Sequence, residues 1–219
     1  MRQGVRRNHE FRIVAVSSIF AGILLLAGCV QEPAQKSSVA IDPVLLNRQE
    51  KDRAFKSGPE SPIPEEERGR FQGLAYYPLA PNLRLTVKLN RHPTPQSVRL
   101  GTNTGEIRRA LRYGYFEFQI EGQTCRLQAY RIEDDPPAGG PSLFIPFRDA
   151  TSGKETYPGG RYLDLPENTS GVYELDFNRA YNPSCAYGKG FSCPVPPAEN
   201  TLPVPVMAGE KNFPLATAH

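Results

Sequence analysis

Apolar and polar residues alternate strictly from Leu83 to Leu89: Leu83, Leu85, Val87 and Leu89 fall on one side, Arg84, Thr86 and Lys88 on the other. A period of two predicts a strand with one buried face. The pattern returns in YFEFQI, where Phe116, Phe118 and Ile120 share a face, and in TCRLQAYRI, where Cys125, Leu127 and Ala129 do. Glu121-Gly122-Gln123 forms a turn between these runs, so together they predict a β-hairpin. Further short strands are predicted at SVRLG, IRRALR, SLFIPF, RYLDL and VYELDF. Thirteen of the 22 prolines lie between Pro136 and Pro214. An interior proline costs a helix about 3 kcal/mol, which leaves no room there for a helix of ordinary length. The body is therefore expected to be all-β with long ordered loops, and a β-sandwich and a partly open β-barrel both fit. A short N-terminal helical segment is expected where Asp42-Pro43 places a capping residue before a proline at the first helical position. A second helical turn is expected within SPIPEEERGRF, Ser61 to Phe71.

A different pattern governs the first residues. Arg2, Arg6, Arg7 and Arg12 precede the apolar run Ile13 to Leu26, which is too short to span a bilayer comfortably and ends at the small residues Ala27 and Gly28. The junction Leu26-Ala27-Gly28-Cys29 resembles the bacterial lipoprotein processing box, in which a cysteine thiol is acylated and becomes the new N-terminus. That resemblance implies lipidation at Cys29, with membrane lipid as partner, and several acyl chains give stable anchoring. Val30 resembles the residue that follows in lipoproteins passed to the outer membrane, so an exported, lipid-anchored chain facing the periplasm is expected if the organism is Gram-negative. The chain then divides into a signal peptide (1–28), a lipidated tether with a short helix (29–60), a single β-rich domain (61–214) and a C-terminal tail (215–219).

Removing the signal changes the charge. Of 26 basic and 23 acidic residues, the first 28 positions hold four arginines and one glutamate, leaving 22 of each sign. No field remains that would argue for nucleic acid as a partner. Beyond the signal only His92, in RHPTP, and His219 remain; an exposed loop is expected at His92, and neither a Ser-His-Asp triad nor a histidine-rich metal site is expected. TSGKETY has Glu155 where a phosphate-binding loop needs Ser or Thr, and Arg148 where its first glycine belongs. No cofactor and no metal are expected.

Cys185 and Cys193 are separated by seven residues, two of them glycine. In an exported chain a disulfide between them is expected, and closing so short a loop would contribute about 2.5 kcal/mol in the chain-entropy account. A reactive thiol is the alternative. Cys125 is expected to be a buried small hydrophobe.

The remaining chemistry lies in a dense polar series set among apolar strand ends. The candidate ligand-binding residues are Arg148, Asp149, Thr151, Thr156, Tyr157, Arg161, Tyr162, Asp176, Asn178, Arg179, Tyr181 and Asn182. One reading is a network that pins loops to the sheet, since buried charges require partners. The other has Arg148, Arg161 and Arg179 converging on a pocket for a small polar or anionic ligand, with tyrosines as walls.

The segments KDRAFKSGPESPI, FQGLAYYPLAPNLRL, LFIPFRDATSGKETYPGGRYLDL and DFNRAYNPSCAYGKGFSCPVPPAENTLPVPVMAGEK resemble the domain-of-unknown-function family numbered 1684 of bacteria and archaea, over Lys51 to Lys211. The family has no established activity to carry over. The resemblance implies that the opening segment and the polar series belong to one domain, and family members without export signals make the Cys185–Cys193 bridge less expected. The expected function is a membrane-anchored module that binds a small polar or anionic ligand or an envelope protein. A hydrolase using Asp149, Asp176, Glu199 or the Cys185 thiol is the alternative, and a purely structural scaffold the third reading.

Overall fold

The computed structural model describes residues 41–134 and 140–215. The expected signal peptide, the expected lipidation site at Cys29 and the tether residues 29–40 lie outside the described residues. Six antiparallel strands form one curved, nearly closed sheet: β1 (Arg84–Gly101), β2 (Ile107–Ile120), β3 (Gln123–Ile132), β4 (Ser142–Phe147), β5 (Arg161–Pro166) and β6 (Val172–Asp176), in the order β5-β4-β3-β2-β1-β6. Of the two all-β architectures, it is the partly open barrel. Among the described residues, helix is confined to α1 (Pro43–Ser57), α2 (Glu65–Arg68) and short 3-10 turns.

The alternating residues predicted to share a face line one core. Leu83, Val87 and Leu89 of the first run meet Phe116, Phe118, Ile120, Leu127 and Ala129 of the hairpin, with Leu163 and Leu175 from the two outermost strands. The hairpin turn forms at Glu121 and Gly122, both at positive φ, between the paired residues Ile120 and Gln123. Two mirror-image conformations in succession match the right-handed twist of the flanking strands.

Several short predicted strands merge. LRLTVKL and SVRLG are the two ends of β1, which passes through the proline-rich RHPTP as an irregularity: Arg91 pairs with Gly114 and Gln96 with Arg112. Prolines cannot donate to a ladder, so the intervening residues leave the β2 register. His92 is therefore in a strand bulge instead of an exposed loop. It is half-buried, and its Nε2 lies 3.0 Å from the Oε1 of the buried Gln128 on β3. Gly114 is needed opposite: a Cβ there would come within 2.6 Å of the Asn90 carbonyl oxygen.

The gap between β5 and β6 is bridged by the chain that follows β6. After one 3-10 turn (Phe177–Arg179), Tyr181 pairs with Tyr162 of β5 through two backbone hydrogen bonds of 2.8 and 3.1 Å. A C-terminal segment then fills the space beneath, burying Leu202, Val204, Val206 and Ala208.

Helix α1 starts where expected, with the Asp42 side chain accepting from the Val44 amide at 2.8 Å. It is fastened to the barrel as part of the folded body. Arg84 of β1 bonds to Asp42 at 3.1 Å, Asp52 accepts from the Leu74 amide at 2.9 Å, and Lys56 donates to the Phe71 carbonyl at 2.6 Å.

Candidate binding site

The polar series divides into a structural clamp and a cleft. Arg161 opens β5 with none of its surface exposed. Its guanidinium donates to Asp149 Oδ2 at 2.8 Å and to the carbonyls of Val206 (2.9 Å), Ala208 and Glu210 (3.1 Å), and lies 5.3 Å from the Phe147 ring centroid. Asp149 also accepts from the Thr151 amide (2.7 Å) and hydroxyl (2.6 Å), and Thr151 exchanges a hydrogen bond with Thr156 at 2.8 Å. These groups satisfy alternate carbonyls of the C-terminal segment and hold it in the barrel.

The expected convergence of Arg148, Arg161 and Arg179 is therefore corrected. Arg161 is consumed by the clamp, because a fully buried guanidinium requires this many acceptors. Arg148 donates to the carbonyls of Pro158 (3.4 Å) and Pro196 (3.3 Å). Of the three, only Arg179 reaches a cleft with its charge largely free: it is exposed, and Asp176 lies 3.9 Å away. Asp176 is itself buried, accepting from the Asn178 amide (2.9 Å), the Asn178 side chain (2.7 Å) and Arg84 (2.9 Å). Glu199 accepts from Arg112 and, at 2.5 Å, from the Tyr130 hydroxyl. Asp149, Asp176 and Glu199 thus belong to three separate sets of partners, and none pairs with another as acid/base chemistry would ask.

The cleft lies between α1 and the loop after β6. It opens to solvent, has a volume of about 140 Å³ and is lined by Arg48, Lys51, Tyr76, Asn178, Arg179, Tyr181 and Glu210, with Val44, Asn47 and Ala180 between them. Arg48 donates to the carbonyls of Tyr77 (3.0 Å) and Asn178 (3.2 Å), and its guanidinium lies 4.4 Å from the Tyr76 ring centroid. Burial pulls the Arg48 pKa down, because desolvation disfavours the charged form. Its Nε and the Tyr76 hydroxyl are both buried without a partner. Burial also raises the Tyr76 pKa, with Glu210 and Asp52 adding to the shift, so the hydroxyl stays protonated and able to donate.

Glu210 is the hub of the far wall. Almost fully buried, it accepts from Lys51, from the Tyr187 hydroxyl and, at 3.0 Å, from the Asn182 amide. Lys51 also sits 5.1 Å from the ring centroids of Phe55 and Tyr181 and 5.6 Å from that of Tyr187. Burial, then the Glu210 carboxylate, raises the Tyr187 pKa well above its ordinary value. Asn182 donates from its side chain to the Lys211 carbonyl at 2.8 Å. The Tyr181 hydroxyl donates to Asp164, and Tyr162 stands edge-on to Tyr181 with its own hydroxyl on the Pro194 carbonyl. Lys51 and Glu210 neutralise each other, so Arg48 and Arg179 leave the cleft with a cationic excess.

Of the twelve predicted residues, the cleft gathers Asn178, Arg179 and Tyr181 directly, and Asn182 through Glu210. Arg148, Asp149, Thr151, Thr156, Arg161 and Asp176 serve the frame, Tyr162 backs Tyr181, and Tyr157 stands beside the cysteines. Arg48, Lys51, Tyr76, Tyr187 and Glu210 were missed.

The expected bridge between Cys185 and Cys193 is absent: both are free thiols. The Cys185 amide donates to Cys193 Sγ at 3.3 Å, and Cys193 is tied to Asn103, which accepts from its amide at 2.7 Å and donates to its carbonyl at 3.1 Å. The Cys193 sulfur is thus engaged as an acceptor, while Tyr157 places its hydroxyl 3.6 Å from Cys185 Sγ. Cys125 is a buried free thiol on the hairpin, its pKa raised by desolvation.

Fold and cleft together define a small antiparallel barrel with a helix fastened across it and a cationic recess beneath the helix. The chain belongs to the family described as Protein of unknown function (DUF1684), which it matches over residues 69–211. Arg48 and Lys51 lie ahead of the matched segment. The chain is also similar to an uncharacterised protein of Haloarcula marismortui, from gene locus rrnAC0354, solved by solution NMR: 42% identity, TM-score 0.60, covering 77% of this chain and 91% of that one. No curated protein matches.

Proposed function

We propose that this chain is a binding module for a small anionic ligand, held in the cleft between α1 and the loop after β6. The observation that carries the reading is the Arg48–Tyr76 pair. A buried guanidinium Nε and a buried hydroxyl, both without partners, line one recess whose only acid among the described residues is Glu210, paired with Lys51. Leaving such donors unpaired is costly, and an oxyanion would accept from both. The volume of about 140 Å³ suits a carboxylate, sulfate or phosphate group. Arg179 at the rim adds a second charge, and Tyr181 a wall. We further propose that the module is exported and anchored in a membrane through acylated Cys29, on the strength of the Leu26-Ala27-Gly28-Cys29 junction.

The test titrates the purified chain with inorganic phosphate, sulfate and acetate at constant ionic strength, reading amide chemical shifts and the unfolding midpoint. One anion should shift resonances of α1 and the 178–182 loop, and at a hundredfold excess over its dissociation constant should stabilise the fold by about 2.7 kcal/mol. Arg179→Gln should weaken that response at least tenfold while leaving the unliganded midpoint unchanged. No response beyond that of chloride, or an undiminished response in Arg179→Gln and Arg48→Gln, would refute the reading.

A further inference from the structure

Cys185 and Cys193 are adjacent but not equivalent. Cys185 sits in a 3-10 turn (Ser184–Ala186), partly exposed on the wall of a groove of about 730 Å³ distinct from the anion cleft. Cys193 is 8% exposed and does not line that groove. Between them the chain turns back through Gly188 and Gly190. Gly190 is at positive φ, and a Cβ at Gly188 would meet the Pro62 carbonyl oxygen at 2.4 Å. The loop is therefore compressed against the segment before α2, and its return brings Cys193 Sγ to 3.3 Å from the Cys185 amide. An outer sulfur open to a groove and an inner one behind it is the arrangement of an attacking and a resolving thiol.

We infer that Cys185 and Cys193 form a redox-active dithiol that exchanges with small-molecule disulfides entering this groove. The Cys185 thiolate attacks one sulfur of R–S–S–R, that S–S bond breaks, and RS⁻ leaves and takes a proton from water. Cys193 then attacks Cys185 Sγ, breaking the mixed disulfide, and the second RS⁻ leaves with the Cys193 proton. Two electrons pass from the protein to the small disulfide, giving two RSH and an internal bridge.

The groups around the pair support this division of labour. The Cys185 pKa is lowered to about 7, first by its hydrogen bond with the Cys193 thiol and then by the Tyr157 hydroxyl, against the opposing effect of burial. The Cys193 pKa is raised by the same thiol pairing and by burial, which keeps the inner sulfur protonated until the mixed disulfide forms. The charged side chains on the groove walls are Glu66, Glu67 and Lys189, and the aromatic ones nearest the turn are Tyr157 and Tyr187. Around Cys193 the partners are neutral, namely Asn103, Tyr162 and the Cys185 amide. At pH 7 a thiol with a pKa of about 7 is roughly half thiolate, against a few per cent for a free cysteine. After its lower intrinsic nucleophilicity is allowed for, Cys185 should react about threefold faster than a free cysteine.

The test incubates the full chain with oxidised glutathione at pH 7 under native conditions and assigns every cysteine by peptide mass mapping. The wild type should gain an internal Cys185–Cys193 bridge and lose two hydrogens. Cys193→Ser should retain one glutathione on Cys185, whereas Cys185→Ser should leave Cys193 as unreactive as the buried Cys125. Cys193 reacting as fast as Cys185, or a wild type that stops at a mixed disulfide, would overturn the proposal. Should a variant fail to fold, iodoacetamide labelling of wild-type Cys185 gives an independent reading. Its rate should reach half-maximum near pH 7, and a midpoint at the ordinary cysteine value would overturn the proposal equally. Neither readout involves the anion cleft, so this proposal and the anion-binding one can fail separately.

Discussion

Arg161→Met separates the frame from the site most sharply, because the sequence alone placed Arg161 among ligand-binding candidates. The substitution removes four hydrogen bonds from a residue with none of its surface exposed and leaves the Asp149 carboxylate buried beside an aliphatic chain. Removing one partner of a buried pair costs about 3–5 kcal/mol. Each carbonyl stripped of its donor adds about 1 kcal/mol or more unless the segment shifts to reach water. Allowing for the segment shifting to rehydrate its carbonyls, a loss of at least about 5 kcal/mol is therefore expected, comparable with the entire stability of many domains. Adding Asp149→Leu should recover only part of it, because Asp149 also accepts from Thr151 twice and from the Val206 amide at 3.3 Å. The chain has ten tyrosines and no tryptophan, so urea unfolding followed by tyrosine fluorescence and circular dichroism is a suitable assay. With a slope of about 2 kcal/mol per molar urea, the midpoint should fall by about 2.5 M, if the variant folds at all. A shift below about 0.5 M would place Arg161 outside the frame and refute the reasoning.

Glu210→Gln removes the charge shared by Lys51, Tyr187 and Asn182 while keeping an acceptor. Because Lys51 is partly exposed and can rehydrate, the cost should be about 2 kcal/mol, or about 6 °C in the melting midpoint. Hydrogen exchange should speed up in α1 while the β2–β3 hairpin stays protected; uniform acceleration would contradict the role assigned to Glu210. Asp42 is held below its ordinary carboxylate value by the Val44 amide and then by Arg84. Its contribution to α1 should thus be complete above about pH 4 and lost as pH falls through the lowered value. Asp42→Asn should keep the helix start and abolish that pH dependence, and carboxyl-carbon NMR placing the Asp42 titration at or above the ordinary value would refute the assignment.

The barrel was legible wherever one face met the core and the other met water. Alternation at Leu83–Leu89 and across the hairpin marks the strands, the prolines exclude helices, and Asp42-Pro43 marks the start of α1. The merging of SVRLG into β1 was hidden, because HPTP reads locally as a loop and only pairing with β2 on either side keeps it in the strand. The clamp was hidden for a related reason: Arg161 looks like any arginine at a strand end until the 206–210 carbonyls are brought to it. Two signals for the missed cleft residues were present. Arg48, Lys51, Asp52 and Phe55 recur at helical spacing, which a mere spacer does not require. The period-two run Leu202, Val204, Val206, Ala208 places Glu210 on the same buried face, so an acid there had to find partners inside.

The placement of β1 has a consequence for how the chain is made. Its first residues pair with β6 from Arg84↔Asp176 to Lys88↔Val172, so this edge stays bare during synthesis until β6 has emerged. Among the described residues no strand covers the second edge of 90–98 even in the finished fold. An open edge this long invites pairing with a neighbouring copy. Pro93 and Pro95, which lack donors and throw the strand out of register, together with the exposed Arg91 and Arg99, make it a poor template. The irregular HPTP stretch, an interruption when judged as a strand, thus acts as protection against self-association for a nascent or crowded chain.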